Sequence, residues 1–188
     1  ARPLIFVDTL CQDSASAQPM IDEFRRCAVA AGISPDAVTG STEDNVVTTQ
    51  TGIGVTIIGV IPDGDLPKAL DGDIVVCVGA PISAPDDDVT PDRPEIVTLD
   101  EVRALMASGK VHDCVPVGSH GVAWEAEQLS STAGLRIESQ HTDVNLTRSG
   151  GPSTCLVLAC ASGNVEELCG LVAPERPWAV IGHLSSVV

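Results

Sequence analysis

Short runs of apolar residues, separated by turns rich in glycine, proline or acidic residues, recur along the chain and predict its strands. Runs of this length that are rich in Val and Ile and bounded by turn residues are typical of buried strands. Strands are expected at residues 4–10, 53–61, 72–79, 111–117, 155–161 and 178–184. Shorter extended segments are expected at residues 46–49, 136–138 and 143–146.

Apolar residues at helical spacing predict a first helix over residues 19–31, which Gly32 ends. The apolar face of this helix consists of Met20, Ile21, Phe24, Cys27, Ala28 and Ala31. Ser14 and Ser16 precede the helix and are candidate caps.

Three more helices are expected in the second half of the chain. The pair Thr98 and Glu101 has the spacing of a capping box and predicts a helix to about residue 108. Asn164 and Glu167 predict a second helix start of the same kind, and a further helix is expected over residues 122–131. Helices and strands are mixed rather than strictly alternating, which favours an α+β fold with antiparallel strand pairing.

A Pro-Asp-Gly segment at residues 62–64 is the best internal boundary. It divides the chain into a region of residues 1–62 and a region of residues 63–188. At 188 residues in total, the chain is long enough to bury a core of its own.

Composition and charge exclude several classes of function. With 26 acidic against 10 basic residues the net charge is −16, which repels nucleic acid and anionic membranes. Only four aromatic residues are present, so stacking on a run of nucleic-acid bases is disfavoured. No apolar run approaches the roughly 18 residues that a membrane span needs, and we expect no signal peptide.

Seven cysteines, with no Cys-x-x-Cys pair among them, argue against a disulfide framework or a zinc site. Cys77, Cys155 and Cys160 stand inside apolar runs, where a free cysteine acts as a small hydrophobic residue. We therefore expect a cytoplasmic protein.

The strongest candidate for chemistry is a polar turn at residues 40–45, which combines backbone N–H groups, hydroxyls and carboxylates. Its members are Gly40, Ser41, Thr42, Glu43, Asp44 and Asn45. Mg²⁺ takes oxygen ligands, and phosphates are held by N–H groups together with the metal. Glu43 and Asp44 are the candidate metal ligands. The alternative is a turn whose polar residues serve only its conformation.

A second candidate is the segment Gly118, Ser119, His120 and Gly121, at an expected strand-to-helix junction. N–H groups at a helix start favour an anion, and His120 has the pKa range for phosphate binding or proton transfer. The alternative is a tight turn permitted by glycine, with Ser119 as a helix cap.

Other polar residues are given structural interpretations. The run at residues 86–88 is expected to be a solvated loop, and His112, His141 and His183 are isolated histidines. Glycines at positions 52, 54 and 59 do not match a dinucleotide fingerprint because they lie within a strand, where glycine marks close backbone approach.

The order of these elements resembles the aminoimidazole ribonucleotide synthetase (PurM-like) superfamily. That family has a Gly-Gly-Glu/Asp-Thr turn, a Thr-Val-Thr-Ala-Ile-Gly strand, a Gly-Asp-Val-Ile-Val strand, a Gly-Gly-Leu/Val helix start, a Gly-Pro-Gly-Thr segment and a closing Val-Ile-Gly. The similar segments here are Gly40-Ser-Thr-Glu43, Gly54-Val-Thr-Ile-Ile-Gly59, Gly72-Asp-Ile-Val-Val76, Ser119-His-Gly121-Val, Gly151-Pro-Ser-Thr154 and Val180-Ile-Gly182.

Within the superfamily, the Gly-Ser-Thr-Glu and Val-Pro-Val-Gly-Ser segments look most similar to the branch of α-ribazole kinase-like proteins. The resemblance implies a partial N-terminal dimerisation subdomain followed by an α+β C-terminal domain. It also implies a nucleoside or phosphorylated small-molecule ligand, with ATP and Mg²⁺ as cofactors, and a homodimer formed through the N-terminal sheet. The alternative is a non-catalytic binding or regulatory module with the same fold.

One departure from the family limits this expectation. The family's glycine-rich segment, Gly-Asp-Asp metal site and ATP-contacting Lys have no counterpart in these 188 residues. The expected explanations are a natural short form, a fragment, or one part of a two-chain enzyme in which a separate chain supplies the missing N-terminal half.

Overall fold

A computed structural model describes residues 2–61 and 66–187 of the chain. The chain divides into two compact units, Ala1–Leu66 and Pro67–Val188. The expected linker at residues 62–64 lies outside the described residues, so the boundary placed there remains a prediction.

The first unit is a three-stranded sheet with one helix packed on it. Its elements are β1 (Arg2–Leu10), α1 (Ser14–Ala30), β2 (Val38–Thr42) and β3 (Ile53–Val60), with a 3₁₀ turn at Pro35–Ala37. β1 lies in the centre, parallel to β2 and antiparallel to β3. The core between sheet and helix is small, and it is centred on Phe6, Ala28 and Ile33.

Two predictions for the first unit are wrong: the start of α1 and the strand at residues 46–49. α1 begins at Ser14 rather than at residue 19, because Asp13 accepts a hydrogen bond from the backbone N–H of Ser16 and caps the helix upstream of Pro19. The strand expected at residues 46–49 is absent from the described residues, and Val47 is 96% exposed. β2 forms earlier, where Val38 packs against the Phe6 cluster.

The second unit is a five-stranded antiparallel sheet in the order β5-β7-β4-β8-β6, with helices beside it. Its strands are β4 (Ile74–Val78), β5 (Val111–Pro116), β6 (Leu135–Ser139), β7 (Leu156–Cys160) and β8 (Trp178–Ser186). Its helices are α2 (Leu99–Ala107), α3 (Gly121–Ala133) and α4 (Val165–Cys169). The predicted α+β fold class is confirmed.

Each face of this sheet has its own apolar core. Alternate residues of β4 and β7 point to opposite faces: Val75 and Val157 pack with α3, while Val76 and Leu158 pack with Leu105 of α2 and Leu168 of α4. The central strands β7 and β4 are therefore buried on both sides, as their continuous apolar runs predict.

Local sequence signals in the second unit have mixed outcomes. The capping box at Thr98 and Glu101 is present with both of its reciprocal hydrogen bonds. Asn164, by contrast, makes no side-chain capping bond, because a 3₁₀ turn at Ser162–Asn164 leads directly into α4. The extended segment expected at residues 143–146 is irregular, with bends and the start of a turn, instead of a strand.

Cys77, Cys155 and Cys160 are buried and free, as expected for small apolar side chains. Within the described part of the chain, no helix is both long and apolar enough to cross a membrane.

Candidate functional site

The first group of predicted site residues lies at the carboxyl ends of two parallel strands. Gly40, Ser41 and Thr42 belong to β2 and pair with Asp8, Thr9 and Leu10 of β1. The prediction that residues 40–45 form a turn is therefore wrong for residues 40–42, because parallel pairing with β1 extends them. Residues 43–45 follow the end of β2 directly.

Asp44 connects the end of β2 to the start of α1. The backbone N–H and the hydroxyl of Ser14 both donate to Asp44 Oδ1, each at 2.9 Å, and the hydroxyl of Thr42 donates to Oδ2 at 2.8 Å. The hydrogen bond from the Ser14 backbone, followed by those of the two hydroxyls, lowers the pKa of Asp44. The carboxylate is thus ionised and held in place, with three of its acceptor positions in use.

Glu43 borders a pocket of about 380 Å³ in the first unit. Its Oε1 accepts hydrogen bonds from the backbone N–H groups of Asn45 at 2.7 Å and Val46 at 3.1 Å, which closes the polar loop on itself. The pocket is lined by acidic, amide and hydroxyl side chains, including those of Asp13, Asn45 and Thr48. Oxygen atoms therefore dominate the lining, as a hard cation requires.

Asp8 is a candidate functional residue that the sequence pattern does not reveal. It is 4% exposed on β1, and within the described residues its carboxylate makes no hydrogen bond. It lines a neighbouring pocket of about 400 Å³ together with Arg25, Ser41 and Thr42. No buried side-chain polar atom of the described residues lacks a hydrogen-bond partner, so the Asp8 carboxylate oxygens are open to this pocket, where a ligand or cation can reach them. The detectable signal was a single acidic residue inside the apolar run at residues 4–10.

The donor set fits a magnesium ion that is bound mainly through a ligand. In the described ranges, no group of three or more His, Cys, Asp and Glu side chains is close enough to hold a metal by itself. Mg²⁺ in nucleotide sites needs only one or two carboxylates, because phosphate oxygens and water fill its other positions. Asp8 and Glu43 line different pockets, so each would serve as the single carboxylate of an ion held mainly by phosphate, while Asp44 is engaged with Ser14 and Thr42.

The second group of predicted residues, in the other unit, forms the junction between β5 and α3. His120 is the N-cap residue of α3 but makes no side-chain capping bond, so the alternative in which Ser119 caps the helix is wrong. The His120 and Trp124 rings lie 4.9 Å apart between centroids. Ser119 and His120 are both exposed.

The two glycines of this group serve close backbone packing. Gly121 has φ +84°, and a β-carbon there would come within 2.8 Å of the carbonyl oxygen of Arg148. The N–H of Gly150 donates to the Gly118 carbonyl at 2.9 Å, and that of Ala123 donates to the Leu146 carbonyl at 2.8 Å. The junction therefore holds the loop of residues 141–150 against the start of α3.

Two polar pairs in the second unit also differ from expectation. Asp87, expected in a solvated loop, accepts hydrogen bonds from the backbone of Ser83 and from the guanidinium of Arg148. His112, expected to be isolated, has its Nδ1 at 2.9 Å from both carboxylate oxygens of buried Asp73. Both pairs join residues that are far apart in the sequence, so local sequence patterns could not predict them.

Solved structures with a similar fold identify the fold of this chain. The chain is similar to HypE in a structure of the HypE-HypF complex, with a TM-score of 0.68 and 16% identity over 100% of this chain and 73% of that one. It is similar to HypE in complex with ATP, with a TM-score of 0.69 and 14% identity over 100% of this chain and 66% of that one.

A third similar structure is thiamine-monophosphate kinase from Stenotrophomonas maltophilia K279a, with a TM-score of 0.65 and 14% identity over 100% of this chain and 71% of that one. The chain has the PurM-like fold. No sequence-family model and no curated protein matches it.

The PurM-like fold is the one predicted from the order of the sequence motifs, and that fold prediction is confirmed. At 13 to 16% identity the likeness establishes the fold alone. The described chain spans 66% to 73% of the two HypE structures. The narrower similarity to α-ribazole kinase-like proteins remains a prediction.

Proposed function

We propose that the first unit of this PurM-like chain binds a nucleoside or phosphorylated small molecule, with Mg-ATP as the candidate cofactor. The observation that carries the proposal is the Asp8 side chain, which is 4% exposed, makes no hydrogen bond among the described residues and lines a pocket that its carboxylate can reach. The fold supports it as well, because one structure with this fold is HypE in complex with ATP.

Asp8 and Glu43 are the proposed metal-facing carboxylates, each at its own pocket, and Asp44 holds the end of β2 and the start of α1 in position. Ser41, Thr42 and Asn45 would offer hydroxyl and amide groups to the ligand, and Gly40 leaves room for Asp8. Bound Mg²⁺ would neutralise phosphate charge, which this acidic chain otherwise repels. If the chain is catalytic, the reaction class is ATP-dependent phosphoryl transfer.

We retain ligand binding for only two of the four residues predicted at the junction before α3. The four predicted residues are Gly118, Ser119, His120 and Gly121. The exposed Ser119 hydroxyl and His120 ring are the groups that would bind ligand phosphate or hydroxyls. Gly118 and Gly121 would contribute by fixing the backbone of the junction, because both contact the loop of residues 141–150.

A second candidate function is a non-catalytic binding or regulatory module. Two observations favour it: Asp44 is engaged by Ser14 and Thr42, and the described residues contain no group of three metal-ligating side chains. In this case the chain would keep the fold and its sheet surface without nucleotide chemistry.

Self-association through the first sheet belongs to the same proposal. Ile5 of β1 and Ile58 of β3 are directly paired on the face opposite α1, and they are 39% and 51% exposed. An open apolar sheet face of this kind is suited to a second copy of the chain. A separate chain that supplies further nucleotide-binding residues, and a cytoplasmic location, complete the proposal.

Isothermal titration with Mg-ATP, with and without α-ribazole, separates the two functions. Saturable, Mg²⁺-dependent binding is expected for the wild type, and Glu43→Gln should weaken it at least tenfold. Asp36→Asn is the matched control, because Asp36 is an exposed carboxylate in the same unit. No heat of binding for Mg-ATP would reject the nucleotide proposal, and equal affinity of Glu43→Gln would remove Glu43 from the site.

A further inference from the structure

A separate cavity of about 670 Å³ lies wholly within the second unit. It is at the end of the sheet where β4 ends and β8 begins. Its floor is apolar and is formed by Pro81, Ile82 and Pro177 with the first residues of β8. Its rim is the loop of residues 141–148. The volume lies within the range of small-molecule sites, roughly 300–1,000 Å³.

The walls of this cavity are held by hydrogen bonds. The buried hydroxyl of Thr154 donates to the carbonyl of Ala80 at 3.0 Å and accepts from the N–H of Ile82 at 3.2 Å. The N–H of Gly79 donates to the Pro177 carbonyl at 2.8 Å, and Gln140 donates from its backbone to Ile181. Preformed walls reduce the cost of ordering a site when a ligand binds.

Trp178 gives the cavity an aromatic surface. Its half-buried side chain packs on the apolar core beneath it and also lines the cavity. Among the described residues the indole N–H has no hydrogen-bond acceptor. A partly buried indole offers an apolar face on which a flat ring can stack, and its in-plane N–H can donate to a separate acceptor atom of the ligand.

The charges around the cavity disfavour an anion. The only guanidinium in the lining belongs to Arg148 and is paired with Asp87, while Glu95 is paired with Arg93 at 2.8 Å. Asp143 on the rim has no ion-pair partner among the described residues and leaves the lining with a negative charge. A carboxylate at this position accepts hydrogen bonds from hydroxyl groups and repels phosphate.

We propose that this cavity binds an uncharged planar heteroaromatic glycoside, a nucleoside rather than a nucleotide, with its ring stacked on Trp178 and its sugar hydroxyls donating to Asp143. This inference takes the general class of ligand from the proposed function and assigns it to a different site. The proposed Mg-ATP site at Asp8 lies in the other unit and is tested separately.

Equilibrium dialysis with radiolabelled adenosine and AMP, without Mg²⁺, tests the inference in the full chain. Adenosine should bind saturably, and AMP should bind at least tenfold more weakly because its phosphate faces Asp143. Trp178→Leu should weaken adenosine binding at least tenfold, whereas Trp178→Phe, which retains a ring, should restore part of it. Trp124→Phe is the matched control at the other tryptophan and should have no effect.

Two further measurements separate this inference from the proposed function. Asp143→Asn should bring the affinities for adenosine and AMP closer together, because it removes the repelling charge. Trp178→Leu should leave the binding of Mg-ATP unchanged, because Trp178 lines a cavity that lies wholly within the second unit. Equal binding of AMP and adenosine by the wild type, or no saturable adenosine binding at millimolar concentration, would overturn the inference.

Discussion

The carboxylate of Asp8 occupies the space that a side chain at Gly40 would fill. An added β-carbon on Gly40 would lie 2.3 Å from Asp8 Oδ1 and 2.5 Å from the Asp8 carbonyl oxygen. The two residues are partners in the parallel pair of β1 and β2. Glycine at position 40 is therefore a condition for the orientation of Asp8 toward its pocket.

Gly40→Ala is expected to disturb both the sheet and the site. The added methyl group must displace the Asp8 side chain and the adjacent backbone, at a cost of about 1–3 kcal/mol typical of overpacking. Urea unfolding should show this loss, and titration with Mg-ATP should show weaker binding. Gly163→Ala is the control, because a β-carbon there meets no atom within 4 Å. Wild-type stability and binding in Gly40→Ala would contradict the proposed role of Asp8.

Glu101 joins the start of α2 to Arg176, and both side chains are largely buried, at 11% and 7% exposure. Burial by itself would raise the pKa of Glu101, but hydrogen bonds from the backbone of Thr98 and Ala173, and from Arg176, outweigh it and lower that pKa. Glu101→Gln should destabilise the protein by about 3 kcal/mol at pH 7, since Arg176 loses its partner.

The same residue predicts a pH dependence. Because the folded-state pKa of Glu101 lies below its ordinary value of 4.5, its stabilisation is fully present above pH 4.5. It is lost as the pH falls through the lower folded-state pKa. Urea midpoints between pH 7 and pH 3 should therefore fall more steeply for the wild type than for Glu101→Gln. Parallel curves for the two proteins would contradict this account.

Gly121 and Gly134, at the two ends of α3, form a matched pair that tests the packing at the start of this helix. Both have positive φ, +84° and +74°, but only at Gly121 would a β-carbon meet neighbouring backbone atoms. Gly134→Ala should cost about 1 kcal/mol for the left-handed conformation alone, and Gly121→Ala clearly more. Thermal unfolding of both variants measures the difference in stability. Equal losses of stability would show that the packing of residues 146–148 against Gly121 does not stabilise the fold.

The open sheet face of the first unit predicts self-association. Ile58→Lys places a charge in the centre of that face and should shift the sedimentation coefficient toward the monomer value. Val47→Lys adds the same charge at a residue that is 96% exposed and away from the strands, so it should have no effect. A wild-type chain that sediments as a monomer at micromolar concentration would contradict the homodimer.

Local sequence signals predicted the second unit better than the first. The apolar run of β7 and the capping box at Thr98 depend on neighbouring residues, and both are present in the structure. β2 was missed because its polar residues resemble a turn, and only its pairing with β1 makes it a strand. The apolar pair Val46 and Val47 has no strand beside it and stays irregular.

The candidate sites were predictable only in part, for a related reason. Glu43 stands in a polar segment and is visible from composition, whereas Asp8 is embedded in an apolar run that reads as an ordinary buried strand. Trp178 likewise begins β8, which the sequence pattern predicts as an ordinary strand. Its cavity arises from segments around residues 81, 95, 143 and 178, which come together only in the folded sheet.

The most direct test of the proposed nucleotide site is a crystal structure of the chain with Mn²⁺ and the ATP analogue AMPPCP, using Mn²⁺ as an anomalous substitute for Mg²⁺. An anomalous peak is expected within coordination distance of an Asp8 carboxylate oxygen, in contact with the phosphates, and no such peak is expected in Asp8→Asn. Nucleotide bound elsewhere, or a metal position that is unchanged in Asp8→Asn, would contradict it.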